Sequence, residues 1–138
     1  MNDASIVCWK IEYNVLFSRP VTAIREGDKT LVQPQPAWTP LLSMPPHPEY
    51  PSGHMVTSGA AYQVLFSWLG TNNVNFSLGS EGLDPSVVRT YTNLLYVAQE
   101  VADSQVFGGV HFNIGGVHFS TFQEYMLLML GQLLQGRS

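Results

Sequence analysis

Seven of the nine prolines fall between Gln33 and Pro51, and no other feature narrows the accessible folds as much. Proline fixes φ and removes the backbone donor, so neither a helix interior nor a central strand runs through such a stretch. The chain is thereby divided into a short N-terminal part, a stiff loop, and a longer C-terminal part. A long loop inside a small domain is functional more often than idle. At 138 residues the chain suffices for one domain with a real core, 1–138, but not comfortably for two.

Either side of the loop the apolar spacing predicts helices. Ile6, Val7, Trp9, Tyr13 and Leu16 mark one over 4–17, which Pro20 ends or kinks. Val56, Ala60, Ala61, Val64, Leu65 and Trp68 mark one over 54–69, with Gly70 as its stop. After a polar stretch, Asp84-Pro85 supplies an N-cap and a first-turn proline for a helix reaching about Ser104. Gly108, Gly109, Gly115 and Gly116 punctuate the next segment, which includes a short Gly-Gly-Val-His-Phe repeat at 108–112 and 115–119. Ser120 with Gln123, or Thr121 with Glu124, can form a capping box for a last helix over 120–135. No strand shows sustained alternation. The expected fold class is all-α, a small helical bundle without a sheet.

Charged residues make up 12% of the chain against a usual share of roughly 25%. So few charges imply that part of the surface is covered by another protein chain or a second copy, or is polar but uncharged. Met126, Leu127, Leu130 and Leu134 form the apolar face most suited to such packing. The net charge of −4, with its six Lys and Arg scattered, excludes a nucleic-acid partner. Cys8 stands alone, so no internal disulfide forms. There is no basic leader at the start, and the longest apolar run, Tyr125 to Leu130, is far below the roughly 18 residues of a membrane span. A soluble or peripheral protein without a transmembrane segment is expected.

Three separated segments carry chemistry: Ser18-Arg19-Pro20-Val-Thr-Ala-Ile-Arg25, then Pro51-Ser52-Gly53-His54, then Ser104-Gln105 followed by His111. Pro-Ser-Gly-His sits where the proline-rich loop enters a helix. The amides of Ser52, Gly53 and His54 would lie at a helix N-terminus, where unpaired N–H groups and the dipole favour an anion. Gly53 permits close backbone approach, Ser52 adds a hydroxyl, and Arg19 can fork onto two oxygens of a tetrahedral anion. Of two histidines, one can bond a phosphorus or vanadium centre while the other moves a proton. A metal pair of His111 and His118 is the weaker alternative, because two ligands are too few for a structural zinc site.

In order and spacing these segments resemble the vanadium haloperoxidases and type-2 acid phosphatases. Their pattern is a lysine, six residues, Arg-Pro; then Pro-Ser-Gly-His; then Ser-Arg, five residues, His. Arg-Pro-Val-Thr-Ala-Ile-Arg, Pro-Glu-Tyr-Pro-Ser-Gly-His, Arg89-Thr-Tyr-Thr and Phe107-Gly-Gly-Val-His-Phe look like the haloperoxidase-like branch. The resemblance runs from Cys8 to about Phe119. It implies a helical core holding vanadate or phosphate on Arg19, Ser52, Gly53, His54, Gln105 and His111. His111 would be the vanadium ligand or the nucleophile toward phosphorus, and His54 the acid–base partner. Hydrogen peroxide and a halide, or a phosphate ester, would be the small-molecule partners. His47, seven residues before His54, stands where chloroperoxidases carry phenylalanine and algal bromoperoxidases histidine, which points to bromide over chloride, a simple loop histidine being the alternative reading.

Three departures from that pattern change the expectation. The lysine position is Glu12, with Lys10 two residues back and nearly opposite on a helix. The second arginine is Gln105, which hydrogen-bonds without charge. The carboxylate that orients the final histidine has no counterpart: the phosphatase position is Gly115, and the haloperoxidases draw theirs from a helix upstream of this stretch. Two readings are open. One is a vanadate-dependent peroxidase or phosphatase-like enzyme with a weakened anion cage. The other is a non-catalytic descendant serving as a structural subunit of a larger assembly. In either case two or more paired strands of five residues would exclude this ancestry.

Overall fold

The computed structural model describes residues 2–28 and 30–113. The first helix, α1 (Asn2–Val15), is followed by a short α2 (Pro20–Glu26). The proline-rich loop then leads into α3 (Gly53–Leu69), a hairpin of β1 (Asn73–Leu78) and β2 (Arg89–Asn93), and α4 (Leu94–Phe107). The helix expected over 120–135, His118, and the apolar face around Met126 lie outside the described residues.

Helix α3 begins as its sequence requires. Ser52 is the N-cap, its hydroxyl accepting from the Met55 amide, and the helix ends on Gly70 in the left-handed conformation at φ 71°. Proline at the first position of α2 likewise opens that helix without losing a bond. The intervening loop has few donors of its own and is pinned from outside. Gln35 N donates to Ile24 O, Leu42 N to Gly108 O, and Glu49 N to Phe17 O. Arg25 Nε adds a 2.9 Å bond to the Trp38 carbonyl.

The core is assembled differently from the hydropathy reading. In α1 the buried stripe is Val7, Cys8 and Glu12, with Ala4 and Ile11 packed alongside, and it meets Val56 of α3. Those positions follow helical spacing as well as the expected set does. Hydropathy alone passes over the stripe because it contains a glutamate. Ile6, Trp9, Tyr13 and Leu16 are exposed instead. In α3 the buried positions are Val56, Gly59, Ala60 and Tyr62, while Val64, Leu65 and Trp68 face outward.

The expectation of a helix from Asp84 and of no sheet is also corrected. Asp84 caps a turn: its Oδ1 accepts from the Ser86 amide at 2.8 Å, and Val87 N bonds back to Asp84 O. Val87-Val88-Arg-Thr-Tyr-Thr, rich in β-branched residues, then leads into the strand that starts at Arg89. Its partner alternates Val74, Phe76 and Leu78, a pattern hidden among asparagines. The two strands pair antiparallel, with Phe76 opposite Tyr91 and their rings 5.5 Å apart. Val74 and Phe76 pack on a second cluster of Tyr62, Leu94 and Ala98, so the hairpin lies against α3 and α4. Asn93 closes the strand and caps α4, accepting from the Leu95 amide at 2.9 Å.

Candidate functional site

Residues Gly109 to His111 return the chain from α4 toward the start of α3. Gly109 has φ 73°, and a Cβ there would stand 3.0 Å from the Trp38 ring, so only glycine makes this turn without strain. The Val110 and His111 amides both donate to the Gln105 carbonyl at 3.2 Å, which seats His111 against the end of α4.

A cavity of about 240 Å³ opens beside it, lined in part by Glu12 of α1, His47 of the loop, Gly53 and His54 of α3, and His111. The structure thus brings together four of the residues singled out from sequence: His47, Gly53, His54 and His111. His54 is exposed at this cavity, whereas His111 is 4% exposed. Arg19, Ser52 and Gln105 are buried but are not among the lining residues. The Ser52 hydroxyl caps α3 and the Gln105 amide nitrogen donates to Ser104 Oγ at 3.2 Å. Lys10 is exposed on α1 and does not line the cavity.

Arg19 is 6% exposed, and its guanidinium is held by protein acceptors. Nε donates to His47 O at 2.9 Å, Nη1 to Val110 O at 2.8 Å, and Nη2 to Pro48 O at 3.1 Å. Nη1 also lies 3.1 Å from His111 Nε2. Burial lowers the pKa of Arg19, while the nearby Glu49 and Glu12 carboxylates act the other way.

These contacts constrain where the protons sit. Guanidinium nitrogens only donate, so the 3.1 Å contact with Arg19 Nη1 is a hydrogen bond when His111 Nε2 carries no proton and offers its lone pair. The proton is then on Nδ1, which faces Glu49 Oε1 at 2.9 Å. At His47 the logic runs the other way. Nδ1 is 2.8 Å from Glu12 Oε2 and 3.2 Å from the Pro48 carbonyl, two acceptors, so it is a donor. Its 3.2 Å approach to Arg19 Nη2 is therefore donor against donor and not a hydrogen bond.

Glu12 is 1% exposed and also lies 3.6 Å from Cys8 Sγ. Burial, then the adjacent Glu12 charge, pushes the Cys8 thiol up to about 12. The buried cluster around Arg19 thus contains two carboxylates, Glu12 and Glu49, against one guanidinium, a formal excess of one negative charge when both histidines are neutral. Among the described residues no group of three or more His, Cys, Asp or Glu is placed to hold a metal ion.

Motif spacing does not single out Glu49 as part of this cluster. It is the one charged residue between Gln33 and Pro51, and a lone carboxylate in a proline-rich loop of a charge-poor chain is the signal the sequence offers.

The family described as the VCPO second helical-bundle domain matches residues 1–124. The chain belongs to the vanadium-dependent haloperoxidase family. A bacterial vanadium-dependent iodoperoxidase of known crystal structure is 31% identical, with a TM-score of 0.67 over 93% of this chain and 30% of its own. A bacterial vanadium-dependent chloroperoxidase in its holo form is 23% identical, with a TM-score of 0.66 over 93% of this chain and 32% of its own, a likeness of fold. The vanadium chloroperoxidase of Curvularia inaequalis is 35% identical over 72 residues, 46% of this chain and 12% of that protein. The chain thus spans about a third of the solved relatives and less of the curated one. The expectation that paired strands would exclude this ancestry is corrected, because the family match runs through both strands. The predominantly helical fold accords with these relatives, and no helix among the described residues is long and apolar enough to cross a membrane.

Proposed function

We propose that this chain is an oxyanion-binding domain of the haloperoxidase type, with a cage suited to a singly charged, protonated tetrahedral anion. The observation that carries the reading is the cavity where the start of α3 faces His111. Unpaired amides at a helix N-terminus favour negative charge, and the Arg19 contact at His111 Nε2 fits an unprotonated nitrogen. The fit to vanadate or phosphate is partial. Gly53, His54, His47 and His111 suit such an ion, while Glu12 in the same wall opposes a second or third negative charge. Bound vanadate would supply the centre at which hydrogen peroxide is activated to oxidise a halide, with bromide the halide favoured by His47.

The rest falls to the protein's own groups. The α3 amides would hold anion oxygens, and His111 Nε2 would exchange its contact with Arg19 Nη1 for a bond to the central atom. His54, exposed at the cavity, would exchange protons with solvent. With a phosphate ester, an Nε2–P bond would form as the P–O bond to the leaving group breaks, and His54 would protonate the departing oxygen. Arg19 would have to leave protein acceptors to reach the anion, since three of its bonds go to backbone carbonyls.

The second reading, a non-catalytic structural subunit within a single domain over 1–138, is favoured by that occupied guanidinium and by buried Glu12. Calorimetric titration of orthovanadate into the native chain and into His111→Ala separates the two. The oxyanion reading expects weak binding that His111→Ala abolishes. Equal heats from both proteins would remove it in favour of the structural reading.

A further inference from the structure

We propose that Glu49 is the positioning residue of this site, accepting a hydrogen bond from His111 Nδ1–H and fixing the neutral tautomer whose Nε2 lone pair can bond an electrophile. What that lone pair meets rests on the oxyanion reading; the placement of the proton does not.

Both partners are deeply buried, each side chain 3% exposed, and the Nδ1–Oε1 distance is 2.9 Å. The same oxygen also accepts from the Phe112 amide at 3.1 Å, so it is held by two consecutive residues. The Glu49 backbone is anchored in turn by the hydrogen bond its N–H donates to Phe17 O. The acceptor is therefore fixed relative to the His111 backbone as well as to its ring, and the imidazole cannot flip without losing its partner. From the other side Arg19 Nη1 is 3.1 Å from Nε2, a hydrogen bond when the proton is on Nδ1.

Chemistry requires this arrangement. When Nε2 forms a bond the ring becomes cationic, and the charge is shared with Nδ1–H. A carboxylate at that hydrogen stabilises the cation and fixes the ring plane. Among the described residues the contacts of the buried carboxylate run through Oε1, which faces His111 and Phe112. The carboxylate missing from the phosphatase position, Gly115, is supplied from the loop before Pro-Ser-Gly-His.

Nitrogen-15 spectra of the histidine side chains, recorded on the 138-residue chain without vanadate, test the assignment. The Nδ1–H form of His111 is expected to outweigh the Nε2–H form by about 10- to 100-fold, as a charge-assisted hydrogen bond dictates. Glu49→Leu is expected to cut that preference by about tenfold or more. Glu49→Gln, whose amide oxygen can still be held by the Phe112 N–H, keeps the tautomer at reduced preference and serves if the leucine variant fails to fold. A native His111 protonated on Nε2, or a ratio unmoved by Glu49→Leu, overturns the proposal. Adding orthovanadate gives an independent arm. If the native ring signals do not respond while the tautomer still depends on Glu49, the oxyanion reading fails and the positioning role stands.

Discussion

Replacing Glu12 by Gln isolates the electrostatic question at this site. Glu12 is 1% exposed, lines the cavity, and pairs with His47 through Oε2 at 2.8 Å. Glutamine has the same shape, and its amide oxygen can still accept the His47 Nδ1 proton, so the wall keeps its form while one buried negative charge disappears. For unit charges about 8 Å apart at an effective dielectric near 20, that charge opposes a bound monoanion by about 2 kcal/mol, roughly 30-fold in affinity. Salt should screen little of this, because the side chain is buried. Weakening the bond to His47 costs about 1–2 kcal/mol of folding stability. Titration calorimetry with orthovanadate, paired with thermal unfolding, reads both effects. We expect the dissociation constant of Glu12→Gln to fall about 10- to 100-fold below the native value while the melting temperature also falls. Affinity equal to or weaker than native, with the fold intact, would refute the reasoning. Glu12 would then be serving the anion through His47 and not repelling it.

The neighbouring contacts carry further consequences. Arg19→Met leaves three carbonyls and two buried carboxylates without their cation, and should cost roughly 3–5 kcal/mol in denaturant unfolding, where a surface arginine would cost almost nothing. The Cys8 thiol, held up at about 12, should resist iodoacetamide in the folded chain near neutral pH and react once it unfolds; Glu12→Gln should speed the native reaction by removing a negative neighbour. A raised thiol pKa favours the folded state below the usual thiol value and loses that contribution as pH climbs toward about 12, so Cys8→Ala should flatten the alkaline limb of the stability profile. Asp28 is lowered to about 2 by the amides of Val32, Leu31 and Thr30, and its contribution is present above the ordinary carboxylate range and lost as pH falls toward about 2. Asp28→Asn should flatten the acid limb of the same profile.

Local rules made much of this protein legible in advance. Proline chemistry fixed the loop, Ser52 and Gly70 bounded α3, and the spacing of Arg19, Pro-Ser-Gly-His and His111 pointed to the family. Each is a property of a few adjacent residues, or of a motif order that the chain carries openly. Two errors arose where a local rule met a tertiary choice. The stripe Ala4, Val7, Cys8, Ile11, Glu12 has sound helical spacing, but hydropathy counts a glutamate against burial, and the hydrogen bond with His47 that accompanies Glu12's burial comes from a distant loop. Asp84-Pro85 is a helix-start signal, but the strand that comes after it gains more by pairing with Val74 and Phe76 over α3 and α4.

The site divides along the same line. Residue types at His54 and His111 announced acid–base and nucleophilic chemistry, since imidazole is suited to both. The tautomer of His111, the occupied donors of Arg19, and the arrival of Glu49 were decided only when residues distant in sequence met. Glu49 reaches a histidine 62 positions away, and Arg19 reaches the same histidine across 92. Hydrogen bonds across such separations depend on how helices and loop pack, and nothing in the local sequence encodes them.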